Sequence, residues 1–434
     1  MSNRNPTSLM LKKIAFFLTS IFILHACTST NASPIQRSYE VSPNDTIVED
    51  STIFFTISSV GDIMAHQTQL NAQKKADGSY DFKDNYQYMK PLFESFDLMI
   101  ANVETTFAGA KKGYSAYPRF NTPDALAEAI KYSGIDVVST TNNHLFDNGT
   151  NAMFRTLDVL RAQGLTTLGT HKDTTEKNYE IIEVKGVKVG LAAYTYESGK
   201  KEGLKTINGL VVPESKGNLI NSFDPYDSTE DLPKIKATVD AMKADSAEFI
   251  IFVMHWGVEY KSLPNENQLL IAQHLNNCGV DVIFGSHPHV VQPIDFIEND
   301  STGQLTYVAY SMGNFISNQR YETMSNYNTE DGLMTGIVVK KEPNTPPVLE
   351  AVFYEPTWVH RYKAEGRYNY AVLPANKTLK NPESFKVKDD ATLDRVVKSS
   401  ERTNTLIQKP MNESSIPLFE RYLIDFETVG RVRN

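Results

Sequence analysis

The sequence has only two cysteines, Cys27 and Cys278, in 434 residues. Two thiols supply neither a disulfide framework nor a thiolate metal site. Its clearest apolar run, at residues 14–24, is too short to cross a bilayer as a mature helix. Basic stretches are also missing. Short pairs such as Lys111-Lys112 and Lys340-Lys341 are the only basic clusters, and the formal charge is −9. That balance argues against nucleic acid as a principal partner. There is no Gly-x-Ser-x-Gly elbow, Walker loop or kinase signature, so serine-nucleophile and nucleotide-loop mechanisms find no support. What is present is ordinary globular material. Apolar residues make up 41%, enough for a sizeable core, which excludes disorder, collagen and coiled coil as the main architecture. The length suits one large α/β domain with appendages, or two to three domains.

Cys27 closes a segment with the grammar of a targeting signal. Arg4, Lys12 and Lys13 precede the apolar run, and Leu24-His25-Ala26-Cys27 follows it. Those four residues resemble the lipobox of bacterial lipoproteins, in which the cysteine is lipidated and becomes the first residue. The expectation is a membrane anchor on Cys27, with the body of the protein in the cell envelope, facing away from the cytoplasm. The alternative is a short anchor that is never cleaved. Residues 28–50, rich in Ser, Thr, Asn and Pro, read as a flexible tether.

From residue 51 onward short apolar runs alternate with helical stretches, the pattern of a layered α/β fold. Strands are expected near 52–60, 97–101, 135–138, 187–194, 249–254, 280–284 and 305–310, with further strands near 348–354 and 368–373. One helix is expected with Thr122 as its cap, Pro123 at its first position and Gly134 past its end. Another is expected over 265–277, stopped by Gly279, with Cys278 packed beside Leu270, Ile271 and Leu275. The main domain spans 51–320. Strands in 321–375 complete it, and 376–434 form a polar, partly helical tail.

The polar groups fall in one kind of place. His66, His144, His255, His287 and His289 follow expected strands, as do Asp62, Glu104, Asn142, Asn143 and Asp147. Ligands of α/β folds bind outside the carboxyl ends of strands. One histidine after a strand means little; five together with carboxylates point to a site. Imidazole and carboxylate without sulfur suit a divalent metal, and Zn, Mn and Fe all accept that set. Glu104 has two oxygens and can bridge two ions about 3.5–4 Å apart, the spacing of two-metal hydrolysis. In an extended His287-Pro288-His289 the two rings would point to the same side. His144 lies three residues before Asp147, so it serves either as a proton donor or as the residue that orders its loop. Glu259 and Tyr260 either line the site or pack the start of the next helix.

In this order the motifs resemble the bacterial capsule synthesis protein CapA family, also called the poly-γ-glutamate synthesis family. The stretches are Gly61-Asp62-Ile63-Met64, Ala101-Asn102-Val103-Glu104, Thr141-Asn142-Asn143-His144-Leu145-Phe146-Asp147-Asn148-Gly149, His255-Trp256-Gly257-Val258-Glu259-Tyr260, Gly285-Ser286-His287-Pro288-His289 and Ser311-Met312-Gly313-Asn314-Phe315. They cover about residues 52–320. The family is similar to calcineurin-like metallophosphoesterases. That implies an α/β, metallophosphatase-like sandwich of two β-sheets flanked by helices, with a small C-terminal appendage. The resemblance further implies one or two divalent ions, one held by Asp62, Glu104 and His289, the other by Glu104, Asn143, His255 and His287. His144, with Asp147, would be the general acid. The superfamily's first strand ends in Asp-x-His; here Met64 stands at the His position, and His66, two residues on, is a possible substitute. The implied partners are a capsule-type polymer or phosphate-ester substrate and capsule-synthesis proteins.

Overall fold

The computed structural model describes residues 51–364, 366–408, 411, 421–425 and 428–429. The leader at 1–27 with Cys27, and the tether at 28–50, lie outside the described residues.

Among the described residues two large sheets form. The first runs, edge to edge, Arg367–Pro374, Val348–Ala364, Asp331–Lys341, Ile53–Ile63, Leu98–Val103, Val137–Ser139 and Thr166–Leu168. Asn314–Ile316 pairs in parallel with the end of Ile53–Ile63. The second runs Ser222–Phe223, Val187–Tyr196, Phe249–His255, Val282–Ser286, Leu305–Ala309 and Ile294–Glu298, with Glu180–Val184 on Val187–Tyr196. In both sheets the central strands are parallel. Their carboxyl ends therefore share one edge.

The period-2 alternation of side chains builds the layers. Ile251 and Val253 share a buried cluster with Phe55, Ile57, Leu98 and Ile100, the core between the sheets. Their neighbours Ile250, Phe252 and Met254 pack on the opposite face with Ile235 and Val239 of the helix Asp231–Ala244 and Ile271 and Leu275 of Glu266–Cys278. On the outer face of the first sheet, Met99, Ala101 and Val138 pack with Leu126, Ala129 and Ile130 of the helix Ala125–Tyr132. The order is helix, sheet, sheet, helix, as the resemblance implies. Strands buried on both faces read as unbroken apolar runs. Each such Val, Leu or Ile contributes about 1.5–3 kcal/mol of burial.

Several local expectations change. The helix expected from Pro123 begins at Ala125. Thr122 does not cap it, because its hydroxyl is bonded to that of Thr105 at 2.7 Å. The helix Glu266–Cys278 does follow its signals: Asn265 accepts from the Gln268 N–H, and Gly279 closes it at φ 85°. Cys278 is buried there beside Ile271 and Leu275, but Leu270 faces solvent. Asp331–Lys341, an interior strand of the first sheet, falls within the 321–375 stretch expected to complete the fold with strands, although it was not placed individually. Its Gly336 is needed because a Cβ there would sit 2.5 Å from the Ile57 carbonyl oxygen. In the tail, the helix Asp390–Ile407 is packed against the body, and Arg402 holds the buried Asp331 with two bonds of 2.7 Å.

Candidate metal centre

Sheet register brings the polar groups together. Asp62 lies beside Asn314 on one neighbouring strand and Asn102 on the other. His255 lies beside Ser286 and Thr195. Two glycines permit the close approach. A Cβ on Gly61 would meet the Gly313 carbonyl oxygen at 1.9 Å, and one on Gly285 the Tyr310 carbonyl oxygen at 2.1 Å. The first sheet and its loops deliver Asp62, Glu104 and Asn143; the second delivers His255, His287 and His289.

All six are buried, and Asp62 and Glu104 have no exposure. Glu104 with His287 and His289 places three donor atoms within 4.8 Å of one another, as does Asp62 with Glu104 and His255. Glu104 is common to both groups. His287 groups with His289 and Asp62 with His255, while His289 also stands 3.3 Å from Asp62, the pairing the resemblance implies. Asn143 Oδ1 lies 3.0 Å from His255 Nε2. Among the described residues, neither Glu104 oxygen has a hydrogen-bond partner, and His287 Nδ1 has none either. Among the described residues, the ion-pair partners of Asp62 and Glu104 are His255 and His289, at 3.3–3.8 Å.

Burial, then repulsion from Asp62, drives the Glu104 carboxyl well above its ordinary range. Burial, reinforced by neighbouring imidazoles, holds His255 and His287 well below theirs. Neutral imidazoles keep a lone pair for a metal. Two crowded carboxylates without a lysine or arginine favour a cation between them. The donor set therefore fits a divalent ion.

Amides orient the rings. Asn314 Nδ2 faces the carbonyl oxygens of His289 and Thr329 and the Gln319 Oε1, so its Oδ1 is the atom 3.1 Å from His289 Nδ1. An oxygen there requires a proton on Nδ1 and leaves Nε2 free on the Glu104 side, where it lies 3.8 Å away. Asn102 donates to Asp62 Oδ1 at 2.8 Å and accepts from Asn142. The Ser286 hydroxyl meets His255 Nδ1 at 3.0 Å. Asn102, Ser286 and Asn314 were not among the expected site residues, although their motifs were. Their roles come from cross-strand register.

The expected extended geometry of His287-Pro288-His289 is wrong. His287 has φ 98° and His289 φ 57°. The rings converge through a left-handed turn, with the His287 N–H donating to Asp62 Oδ2 at 3.3 Å. Such backbone costs about 1–3 kcal/mol per residue and persists where the surroundings impose it.

His144 Nδ1 is 2.8 Å from Asp147 Oδ2, which also accepts from the Phe120 N–H at 2.7 Å. Phe120 packs edge-on against His144 at 4.7 Å and against His66 at 5.3 Å. His66 lies in neither ligand group; its Nδ1 accepts from the Asn318 N–H, and Met64 is buried. Glu259 is exposed, and its charge reaches Glu104, Tyr196 and Tyr260. Tyr196 lies against His287 at 4.7 Å.

The family described as "Bacterial capsule synthesis protein PGA_cap" matches residues 56–319. The chain belongs to this family. It is 27% identical over 268 residues to the "PGA biosynthesis protein CapA" of Bacillus subtilis (strain 168), covering 60% of this chain and 63% of that one. It is 24% identical over 313 residues to the "Capsule biosynthesis protein CapA" of Bacillus anthracis, covering 71% of this chain and 70% of that one. The chain thus spans somewhat less than two thirds of the first relative. A solved structure of a Thermus thermophilus sulfate thiohydrolase, SoxB, superposes over 71% of this chain and 43% of its own, at 12% identity and a TM-score of 0.32, too loosely to speak to function. The family match contains every ligand candidate, from Asp62 to His289. It stops before the Asp390–Ile407 helix.

Proposed function

We propose that this chain is a lipid-anchored cell-envelope protein acting in synthesis, export or retention of a capsule polymer such as poly-γ-glutamate, through a metallophosphatase-like divalent-metal site. Family membership supports the process. The observation that carries the site is Glu104, a buried carboxylate with no hydrogen-bond donor among the described residues, at the junction of two ligand groups. Asp62, Glu104, Asn143, His255, His287 and His289 would hold the metal. A bound divalent ion supplies Lewis-acid polarisation and an activated water. The chain's own residues do the rest. Asp147 fixes the His144 ring by its Nδ1, leaving Nε2 to give a proton to a leaving oxygen. Tyr196 packs against the His287 ring and Phe120 edge-on against His144, which holds both imidazoles in place.

The same arrangement supports a metal-dependent phosphoesterase on an envelope substrate, because the His144–Asp147 pair serves either leaving group. A non-catalytic polymer- or partner-binding role is the remaining alternative; Met64, where the superfamily has a ligand histidine, favours it. Screening the metal-loaded protein on phosphate esters and γ-glutamyl peptides chooses among these readings. Turnover of γ-glutamyl peptides is the expected result. Turnover of phosphate esters alone favours the phosphoesterase, and metal without turnover the binding protein.

A further inference from the structure

Residues 105–123 contain Lys111, Lys112 and Arg119 and no acidic residue, in a chain of net charge −9. All three are exposed, and none has an ion-pair partner among the described residues. The loop is flanked in sequence by Glu104, buried among the candidate ligands, and by Asp124, already held by Arg155 at 2.6 and 2.8 Å. The charges are therefore uncompensated.

The loop is built rather than slack. The fully buried Asn121 donates to the Gly109 and Gly113 carbonyl oxygens at 3.0 and 2.7 Å and accepts from the Ala108 N–H at 2.7 Å. It is also fastened to the loop bearing His144. Lys112 Nζ reaches the Asn148 carbonyl oxygen at 3.3 Å, and Asn148 Nδ2 donates to the Phe120 carbonyl oxygen at 2.9 Å. Phe120, next to Arg119, donates to Asp147. Tyr117, 71% exposed, stands edge-on 6.5 Å from His144. Tyr260, 6.1 Å from His289, stands beside the exposed Glu259. The loop that borders His144 is thus basic and aromatic, while Glu259 near Tyr260 carries a negative charge.

We infer that the 109–119 loop is the docking surface for the charged stretch of an acidic polymer whose reacting end enters the metal site. The inference rests on the substrate class proposed above. A chain of carboxylates gains from Lys111, Lys112 and Arg119 and is repelled at Glu259, so it lies along the basic loop. Tyr117 supplies a flat face to its backbone between those charges and His144.

Equilibrium binding of a fluorescently labelled poly-γ-glutamate fragment tests this, at low and at physiological salt. The variants are Lys111→Ala/Lys112→Ala/Arg119→Ala; a control, Lys200→Ala/Lys201→Ala, on the exposed short strand Lys200–Lys201; and His287→Ala/His289→Ala. Circular dichroism and metal content establish that each variant is folded. Loss of three exposed charge contacts should weaken binding about tenfold and flatten its salt dependence. The control should bind like the parent. The ligand variant should keep most of its affinity. Overturning results are a loop variant that binds like the parent, a control that falls as far, or a parent that does not bind. If only the ligand variant loses the polymer, the anion contact lies at the metals; the docking surface is then wrong, while the metal site stands.

Discussion

At the scale of single residues, Glu104 and His144 have separable jobs. Glu104 is repelled by Asp62 and unsolvated, so a divalent ion should stabilise the fold by relieving both. Ligand at about 100-fold over its dissociation constant is worth about 2.7 kcal/mol. The parent should therefore melt at a higher temperature with added metal, while Glu104→Gln should gain little. Thermal melts with metal and with chelator measure the difference. For His144, general acid catalysis contributes about 10²–10⁴-fold. His144→Ala should keep its metal and lose at least about 10²-fold in turnover on whichever substrate the screen finds, whereas Asn143→Ala should lose metal first. If His144→Ala lowers only the melting temperature, its bond to Asp147 merely orders the loop. Asp62, Glu104, Asn143, His255, His287 and His289 were legible because each follows an apolar run that ends at the same edge. The left-handed turn at His287 and His289 was not, because packing imposes it against local preference. Nor were the amides of Asn102, which holds the Asp62 carboxylate, and Asn314, which orients the His289 ring, since both matter only once two strands are in register.

At the scale of elements, the interior strand Asp331–Lys341 was expected only as part of the strand-bearing 321–375 stretch, because its glycines, placed for close packing, dilute the apolar alternation. The strand expected near 348–354 is longer, Val348–Ala364, because its far half pairs with Arg367–Pro374. Its Glu355 is buried and accepts from the Lys377 N–H at 3.0 Å, and burial raises its carboxyl to about 7. The folded state therefore holds this proton more tightly than the unfolded chain, whose ordinary value is 4.5. That contribution to stability is present below pH 4.5 and is lost as pH rises to about 7. Glu355→Gln should remove this loss, giving a variant more stable than the parent above neutrality by on the order of 1–3 kcal/mol, measured by denaturation across the range. The helix Asp390–Ile407 is fastened through Arg402. Arg402→Ala leaves Asp331 buried and unpaired, which should cost about 3–5 kcal/mol. A urea midpoint near the parent's would show the helix to be a loosely attached tail.

At the scale of the whole molecule, two parallel-centred sheets stacked face to face put every ligand-bearing loop at one edge, and chain order alone predicted that. The leader belongs to the same scale. Cys27→Ser should release the protein from the membrane fraction or leave it unprocessed, and an unchanged fractionation and migration would remove the lipid anchor from this account. The proposed function depends on metal at the shared edge. The direct test is elemental analysis of the purified protein beside His287→Ala/His289→Ala, with circular dichroism on both. The parent should hold a divalent ion, and the double variant should lose most of it with an unchanged spectrum, since edge ligands are not the hydrophobic core. Equal metal in both, or none in the parent after incubation with zinc, manganese or iron, would contradict it.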